Sequence, residues 1–227
     1  MVLADGADLV VWDFDGTLAD TQGDVWGSLR YAAGRMGRRF SAGFEDDDEH
    51  LALPMGQIMA ALEPPVDPAD LGVFERDVRV HYRSISAHPH TRLFPGIEAL
   101  LRALRARGAQ CRIATNKPVA ALERLLALKG WGDLFDGWVT SDMGEGGRDL
   151  DKAQMVRMTL ARAGVEAGRA VMVGDSWGDV RGAREAGVAS VGVTYGDGDT
   201  ARLLAEGPDC VADDVNQLTV LLIGEQA

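Results

Sequence analysis

The 227-residue chain is 46% hydrophobic and 26% charged, which supplies a substantial core for one or two domains. A net charge of −12 leaves no basic stripe for a nucleic acid and disfavours an anionic membrane surface, so neither is an expected partner. Cys111 and Cys210 are too few and too far apart for a disulfide framework, and with no basic leader or membrane-length apolar run the expected compartment is the cytoplasm.

Short apolar runs alternate with stretches of helical period. "DLVVWD" at 8–13 predicts a buried strand. Further strands are predicted over 110–115, 136–141, 169–175 and 189–196, with a stub at 210–211. Helices are predicted over 96–107, 118–129, 151–163, 178–186, 200–206 and 215–222. Gly108, Gly130, Gly164 and Gly187 fall where C-terminal caps belong. This alternation predicts right-handed βαβ units, hence an α/β core with a parallel sheet.

Residues 21–90 break the rhythm. They predict helices over 23–36, 47–62 and 68–86 and no strand, with breaks at "GRRFSAG" and "EPPVDP". A helical insertion is therefore expected between two parts of the core, 1–20 and 91–227.

In an open parallel sheet, ligands bind beyond the carboxyl ends of the strands. The predicted strand ends carry Asp13 and Asp15, then Thr115, Asn116 and Lys117, then Asp175; Lys152 and Asp179 stand at or near the starts of helices on the same rim. Such a set suits a divalent cation through its carboxylates and a phosphate through its hydroxyl and ammonium groups. The cation would also relieve the crowding of like charge in "DFDGTLADT". Asp20 is expected to cap the first inserted helix or to brace the loop. Lysine is scarce, occurring only at Lys117, Lys129 and Lys152. Lys117, next to Pro118 at a helix start, reads as solvated. The run "FEDDDEH" at 44–50 reads as a wet helix start, and His81, His88 and His90 as surface residues.

Two competing motifs fail on context. "DFDG" opens like a calcium loop, but a strand precedes it and Asp24 holds the twelfth position. "GDSWG" at 174–178 matches a nucleophile elbow, yet all four histidines precede Ser176, whereas that fold places its histidine later. No G-x-x-x-x-G-K-[ST] occurs.

"DFDGTLADT", "IATNKP", Lys152 and "VGDSWGDVRGAREAG" together resemble, in order, the four motifs of the haloacid dehalogenase-like hydrolase superfamily. "LFPGIEALLRALRARGAQCRIATNKP" and "GVTYGDGD" are most similar to its phosphoglycolate phosphatase-like branch, although Ala153 follows Lys152 where that branch commonly has proline, and Ala52 stands where glycine is expected. The resemblance implies a Rossmann-like core with an inserted helical cap. It implies a phosphomonoester hydrolase in which Asp13 is the nucleophile and Asp15 the proton donor and acceptor. It implies Mg²⁺ held by the side chains of Asp13 and Asp175 and the backbone carbonyl of Asp15, with Asp179 in support. Thr115, the Asn116 backbone and Lys152 would hold the phosphoryl oxygens. The expected partner is a small phosphorylated metabolite, 2-phosphoglycolate first, and the expected assembly a monomer or homodimer.

Other members of the superfamily remain to be weighed. The dehalogenase branch lacks the second aspartate of the first motif, here Asp15. The phosphonoacetaldehyde hydrolase branch needs a cap lysine, and 21–90 contain none. A sugar phosphomutase, a pyrophosphatase or a nucleotidase keeps the same core. A non-catalytic signalling protein phosphorylated on Asp13 would have no use for a lid-sized insertion.

Overall fold

The computed structural model describes residues 6–224, apart from the side chain of Ala52; the first five and last three residues of the predicted core ranges lie outside the described residues. The chain divides into two compact units, Met1–Asp20 with Arg92–Ala227, and Thr21–Thr91.

The first unit is built on a six-stranded sheet. Its strands are β1 (Leu9–Trp12), β2 (Gln110–Thr115), β3 (Trp138–Thr140), β4 (Ala170–Gly174), β5 (Ala189–Val193) and β6 (Cys210–Ala212). The spatial order is β6-β5-β4-β1-β2-β3, and every neighbouring pair is parallel. This is the doubly wound order, and its reversal point lies between β1 and β4. The helices are α1 (Ile97–Ala106), α2 (Val119–Lys129), α3 (Lys152–Ala163), α4 (Trp177–Ala186), α5 (Thr200–Ala205) and α6 (Val215–Ile223).

Alternation along β1 explains the two layers. Val10 and Trp12 pack into one apolar cluster with Ile97 and Leu101 of α1, Leu122 of α2 and Leu218 of α6. Leu9 and Val11 face the other cluster, with Met155 and Val156 of α3 and Ala183 of α4. A strand covered on both faces needs apolar residues throughout, which is why "LVVW" shows no polar alternation. Gly130, Gly164 and Gly187 close α2, α3 and α4 in the left-handed conformation.

The second unit holds the helices Gln22–Arg35, Met55–Ala60 and Leu71–Val80 around Trp26, Leu29, Ile58, Leu62 and Phe74. Two expectations need correction here. The predicted helix over 47–62 is interrupted, because Pro54, extended at φ −53° and ψ 138°, separates the short 3-10 turn Asp48–Ala52 from Met55–Ala60. The insertion also contains strand structure. Arg39–Phe40 and Leu62–Glu63 pair antiparallel at its two predicted breaks.

The expected cap at Asp20 is also displaced. Thr21 takes the N-cap position of Gln22–Arg35, and Asp20 instead pairs with Arg92 in the two-residue ladder Ala19–Asp20 with Arg92–Leu93. His88 is not at the surface, being 1% exposed. The buried Asp24 carboxylate accepts hydrogen bonds from the His90 and Thr91 backbone N–H groups and from the Thr91 hydroxyl, which ties this segment to the helix start. His81 is half-buried, stacked on Tyr31 and hydrogen-bonded to Ser28, and burial lowers its pKa. His90 is exposed as expected. In "FEDDDEH", Asp46, Asp47, Asp48 and Glu49 are solvent-exposed. Among the described residues no helix is long and apolar enough to cross a membrane.

Candidate active site

The sheet brings three carboxylates to its reversal point. Asp13 follows β1, its backbone N–H donating to Val173 of β4 at 2.9 Å. Asp175 follows β4, and Asp179 lies in the first turn of α4. Carboxylate oxygens of Asp13, Asp175 and Asp179 lie within 4.8 Å of one another, the only such group of metal-ligating side chains among the described residues.

Lys152 enters from the start of α3. Its ammonium donates to Asp13 Oδ1 at 2.9 Å and to the Ala114 carbonyl at 2.9 Å, and it pairs with Asp179 Oδ1 at 2.7 Å. A capping box between Asp151 and Gln154 fixes the start of α3. Gly182 in α4 allows this approach, since a Cβ there would lie 2.6 Å from Lys152 Cγ.

The charges do not balance. One ammonium faces three carboxylates in a largely buried site. Burial raises the Asp13 pKa to about 8; Lys152 opposes the rise, and the charges of Asp179 and Asp175 add to it. Burial, then Asp179, raises Asp175 to about 6. Lys152 is held above its ordinary range: burial opposes its charge, and Asp13 and Asp179 outweigh that. A site of hard oxygen donors with surplus negative charge fits a divalent cation, so the residues present suit the implied metal.

Asp175 is fixed more tightly than its motif reveals. Thr17 Oγ1 donates to its Oδ1 at 3.1 Å, while the backbone N–H groups of Asp197 and Gly198 donate to Oδ2 at 3.1 and 3.0 Å. "GVTYGDGD" is thus a clamp on the carboxylate. Gly16, at φ +73°, and Gly196 permit the close packing, because a Cβ on either would collide with Asp175.

The remaining predicted residues line the same rim. Thr115 ends β2, is buried, and its Oγ1 accepts from the Lys117 backbone N–H at 3.2 Å. The hydroxyl proton of Thr115 is still available to donate. Asn116 is exposed, with its carbonyl accepting from Ser141 Oγ at 3.0 Å. The Asp15 side chain does not join the three clustered carboxylates. It is 39% exposed and pairs through Oδ1 with Lys117 Nζ at 3.0 Å.

That pairing overturns the reading of Lys117 as solvated. Its side chain is only 5% exposed, with the ammonium 5.8 Å from the Phe14 ring centroid. The scarcity of lysine was the one signal in the sequence that could have marked it. Ser176, the false elbow serine, is spent on structure. It caps α4, accepting from the Asp179 N–H and donating its hydroxyl to Asp179 Oδ2 at 2.6 Å.

The family model for haloacid dehalogenase-like hydrolases matches residues 7–187. A phosphoglycolate phosphatase of Agrobacterium fabrum is 34% identical over 220 residues, covering 94% of this chain and 91% of the relative. A 5'-nucleotidase of Pseudomonas aeruginosa is 28% identical, with 94% of each chain covered. Among solved structures, a Clostridium difficile protein assigned as a phosphatase superposes with a TM-score of 0.83 at 21% identity, covering 96% of this chain and 99% of the other.

Proposed function

Because the chain belongs to the haloacid dehalogenase-like hydrolase family and is a phosphatase, we propose that it hydrolyses a small phosphorylated metabolite through a phosphoryl group carried on Asp13. The observation that carries this reading is the placement of Asp13. It stands at the end of the central strand, its Oδ1 held by Lys152 and its carboxylate beside Asp175 and Asp179.

In the first step an Asp13 oxygen bonds to phosphorus as the ester P–O bond breaks, and Asp15 gives its proton to the leaving oxygen. In the second step Asp15 takes a proton from water, whose oxygen bonds to phosphorus as the bond to Asp13 breaks. Thr115, the Asn116 backbone and Lys152 hold the transferring phosphoryl oxygens. Phosphoryl transfer depends mainly on such positioning and charge stabilisation.

Asp13 and Asp175 through their side chains, and Asp15 through its carbonyl, would hold Mg²⁺, with Asp179 in support. When bound, the ion would offset negative charge on the phosphoryl oxygens. The unit Met1–Asp20 with Arg92–Ala227 is the catalytic core in this reading, and Thr21–Thr91 the cap that selects the substrate, a boundary one residue later than the expected 21–90. Met55, Gln57 and the acidic 45–49 run are the first cap residues to vary. Arg83 is exposed and is left as a solvated helix residue.

The resemblance and the Agrobacterium relative favour 2-phosphoglycolate; the Pseudomonas relative supports a nucleotide as the second reading. The test is phosphate release, with Mg²⁺, from a panel of 2-phosphoglycolate, pyrophosphate, sugar phosphates and nucleoside monophosphates. The highest kcat/KM is expected on 2-phosphoglycolate, and a preference for any other member rejects that substrate.

The raised pKa values give a second expectation. Carboxylates with folded values of about 8 and 6, against 3.8 for an unperturbed aspartate, bind protons more tightly when folded. Their contribution to stability is present below pH ~4 and is lost as pH rises toward ~8. Protein in chelator should therefore melt at a lower temperature at pH 8 than the same groups would allow at pH 5. A divalent cation favours the ionised carboxylates, so the rise in Tm on adding Mg²⁺ should be larger at pH 8 than at pH 5. Melting curves at both pH values, with Mg²⁺ or chelator, check this.

A further inference from the structure

We propose that Lys117 is the positioning residue for proton transfer, aiming the Asp15 carboxyl at the leaving oxygen and then at water. This inference rests on the reading of Asp15 as proton donor and acceptor.

An ammonium carries three donors and a strong hydration shell, and it is seldom buried without partners. Lys117 is buried nonetheless, in a chain that otherwise uses arginine almost throughout. Its charge reaches Asp15 Oδ1 at 3.0 Å, and its ammonium lies 5.8 Å from the centroid of Phe14, which is itself fully buried. Its own backbone N–H bonds to Thr115 Oγ1 at 3.2 Å. The residue therefore links the loop after β1 to the loop after β2.

The two aspartates of the first motif are served by different lysines. Lys152 engages Asp13 Oδ1, and Lys117 engages Asp15 Oδ1. Two adjacent carboxylates with the same partner would have the same orientation problem. Separate partners fix them separately, one toward the clustered carboxylates and one outside that cluster. A carboxyl group is planar, so holding one oxygen sets the direction of the other. Asp15 is 39% exposed, and an exposed aspartate with no anchor would sample several rotamers. With Oδ1 anchored, Oδ2 keeps one bearing for both halves of the reaction. The proton passes from Oδ2 to the ester oxygen as the P–O bond breaks, and a water proton returns to Oδ2 as the water oxygen bonds to phosphorus. General acid catalysis depends on such alignment, and it matters in proportion to how poor the leaving group is.

That dependence separates this role from structural support and from phosphate binding. The experiment measures kcat/KM, which reports the step that expels the leaving group, for Lys117→Met and Asp15→Asn. The substrates are p-nitrophenyl phosphate, whose leaving group needs little protonation, and an alkyl phosphate, whose leaving group needs it. For Lys117→Met the loss on the alkyl ester should exceed the loss on the aryl ester by about 10²-fold, and Asp15→Asn should show the same selectivity. Equal losses on the two esters from Lys117→Met, with Asp15→Asn still selective, overturn the inference and leave the reading of Asp15 standing. Absence of selectivity in Asp15→Asn overturns that reading and this inference with it. Should Lys117→Met fail to fold, Lys117→Gln, which keeps a polar donor on the stem, carries the same comparison with a smaller expected selectivity.

Discussion

Asp13→Asn should abolish turnover, by about 10⁴-fold or more, without weakening the fold. The loss in rate follows from the proposed role. An amide at this position has no anionic oxygen to bond to phosphorus, and the nearest remaining carboxylates, Asp175 and Asp179, are already committed. Asp175 accepts from Thr17, Asp197 and Gly198, and Asp179 is bound by Lys152 and Ser176. The absence of a stability cost follows from the electrostatics. Burial raises the Asp13 pKa to about 8, against the pull of Lys152, so the charged form is disfavoured on balance in the metal-free fold. Replacing it by a neutral group of the same shape removes that penalty. Lys152 still has Asp179 at 2.7 Å. In chelator at pH 8 the melting temperature of the variant should equal or exceed that of the unaltered chain. A variant that is both inactive and clearly less stable would mean that Asp13 serves the fold.

Lys152→Met should do the opposite to stability. It removes the ammonium held between Asp13 and Asp179 and leaves both without their shared partner. Breaking a buried charge cluster on one side costs about 3–5 kcal/mol, because the remaining charges stay desolvated. Protonation of Asp13 would soften that cost, so the deficit should grow as pH rises toward 8. Activity should also fall, by about 10²–10³-fold, the effect of losing one donor to a transferring oxygen. Lys152→Arg should not restore either property. The stem of Lys152 packs where α4 has Gly182, and a planar guanidinium cannot place a single donor between Asp13, Asp179 and the Ala114 carbonyl in the same way. Denaturant unfolding and phosphate release on the two variants check both halves.

Much of this site was legible because its parts sit at strand ends. β2 spans Gln110–Thr115, as the apolar run and the following Asn-Lys-Pro indicated. Once the strands are placed, parallel topology alone carries Asp13, Thr115 and Asp175 to one edge. What could not be read were contacts with no local signature. Thr17 and Asp175 are 158 residues apart, and nothing in either motif says that they touch. The Lys117 pair with Asp15 likewise depends on how two loops lie across the sheet edge, and a lysine before proline gives no hint of burial.

The insertion shows a different limit. Its helices have clear patterning, but Arg39–Phe40 and Leu62–Glu63 are two-residue strands, too short for any period to register. The burial of His88 escapes the sequence for a related reason. A histidine beside Pro89 in a connecting segment looks solvated, and only the three hydrogen bonds converging on Asp24 reveal that the segment is tied down.

The proposed passage of a phosphoryl group through Asp13 is checked by acid-quenching the protein during turnover of its best substrate with Mg²⁺ and mapping protein-bound phosphate by mass spectrometry. A phosphoryl group is expected on the peptide containing Asp13, appearing within the first turnover and absent from Asp13→Asn. Steady phosphate release with no protein-bound phosphate on that peptide at any quench time, or the label on another residue, would contradict it.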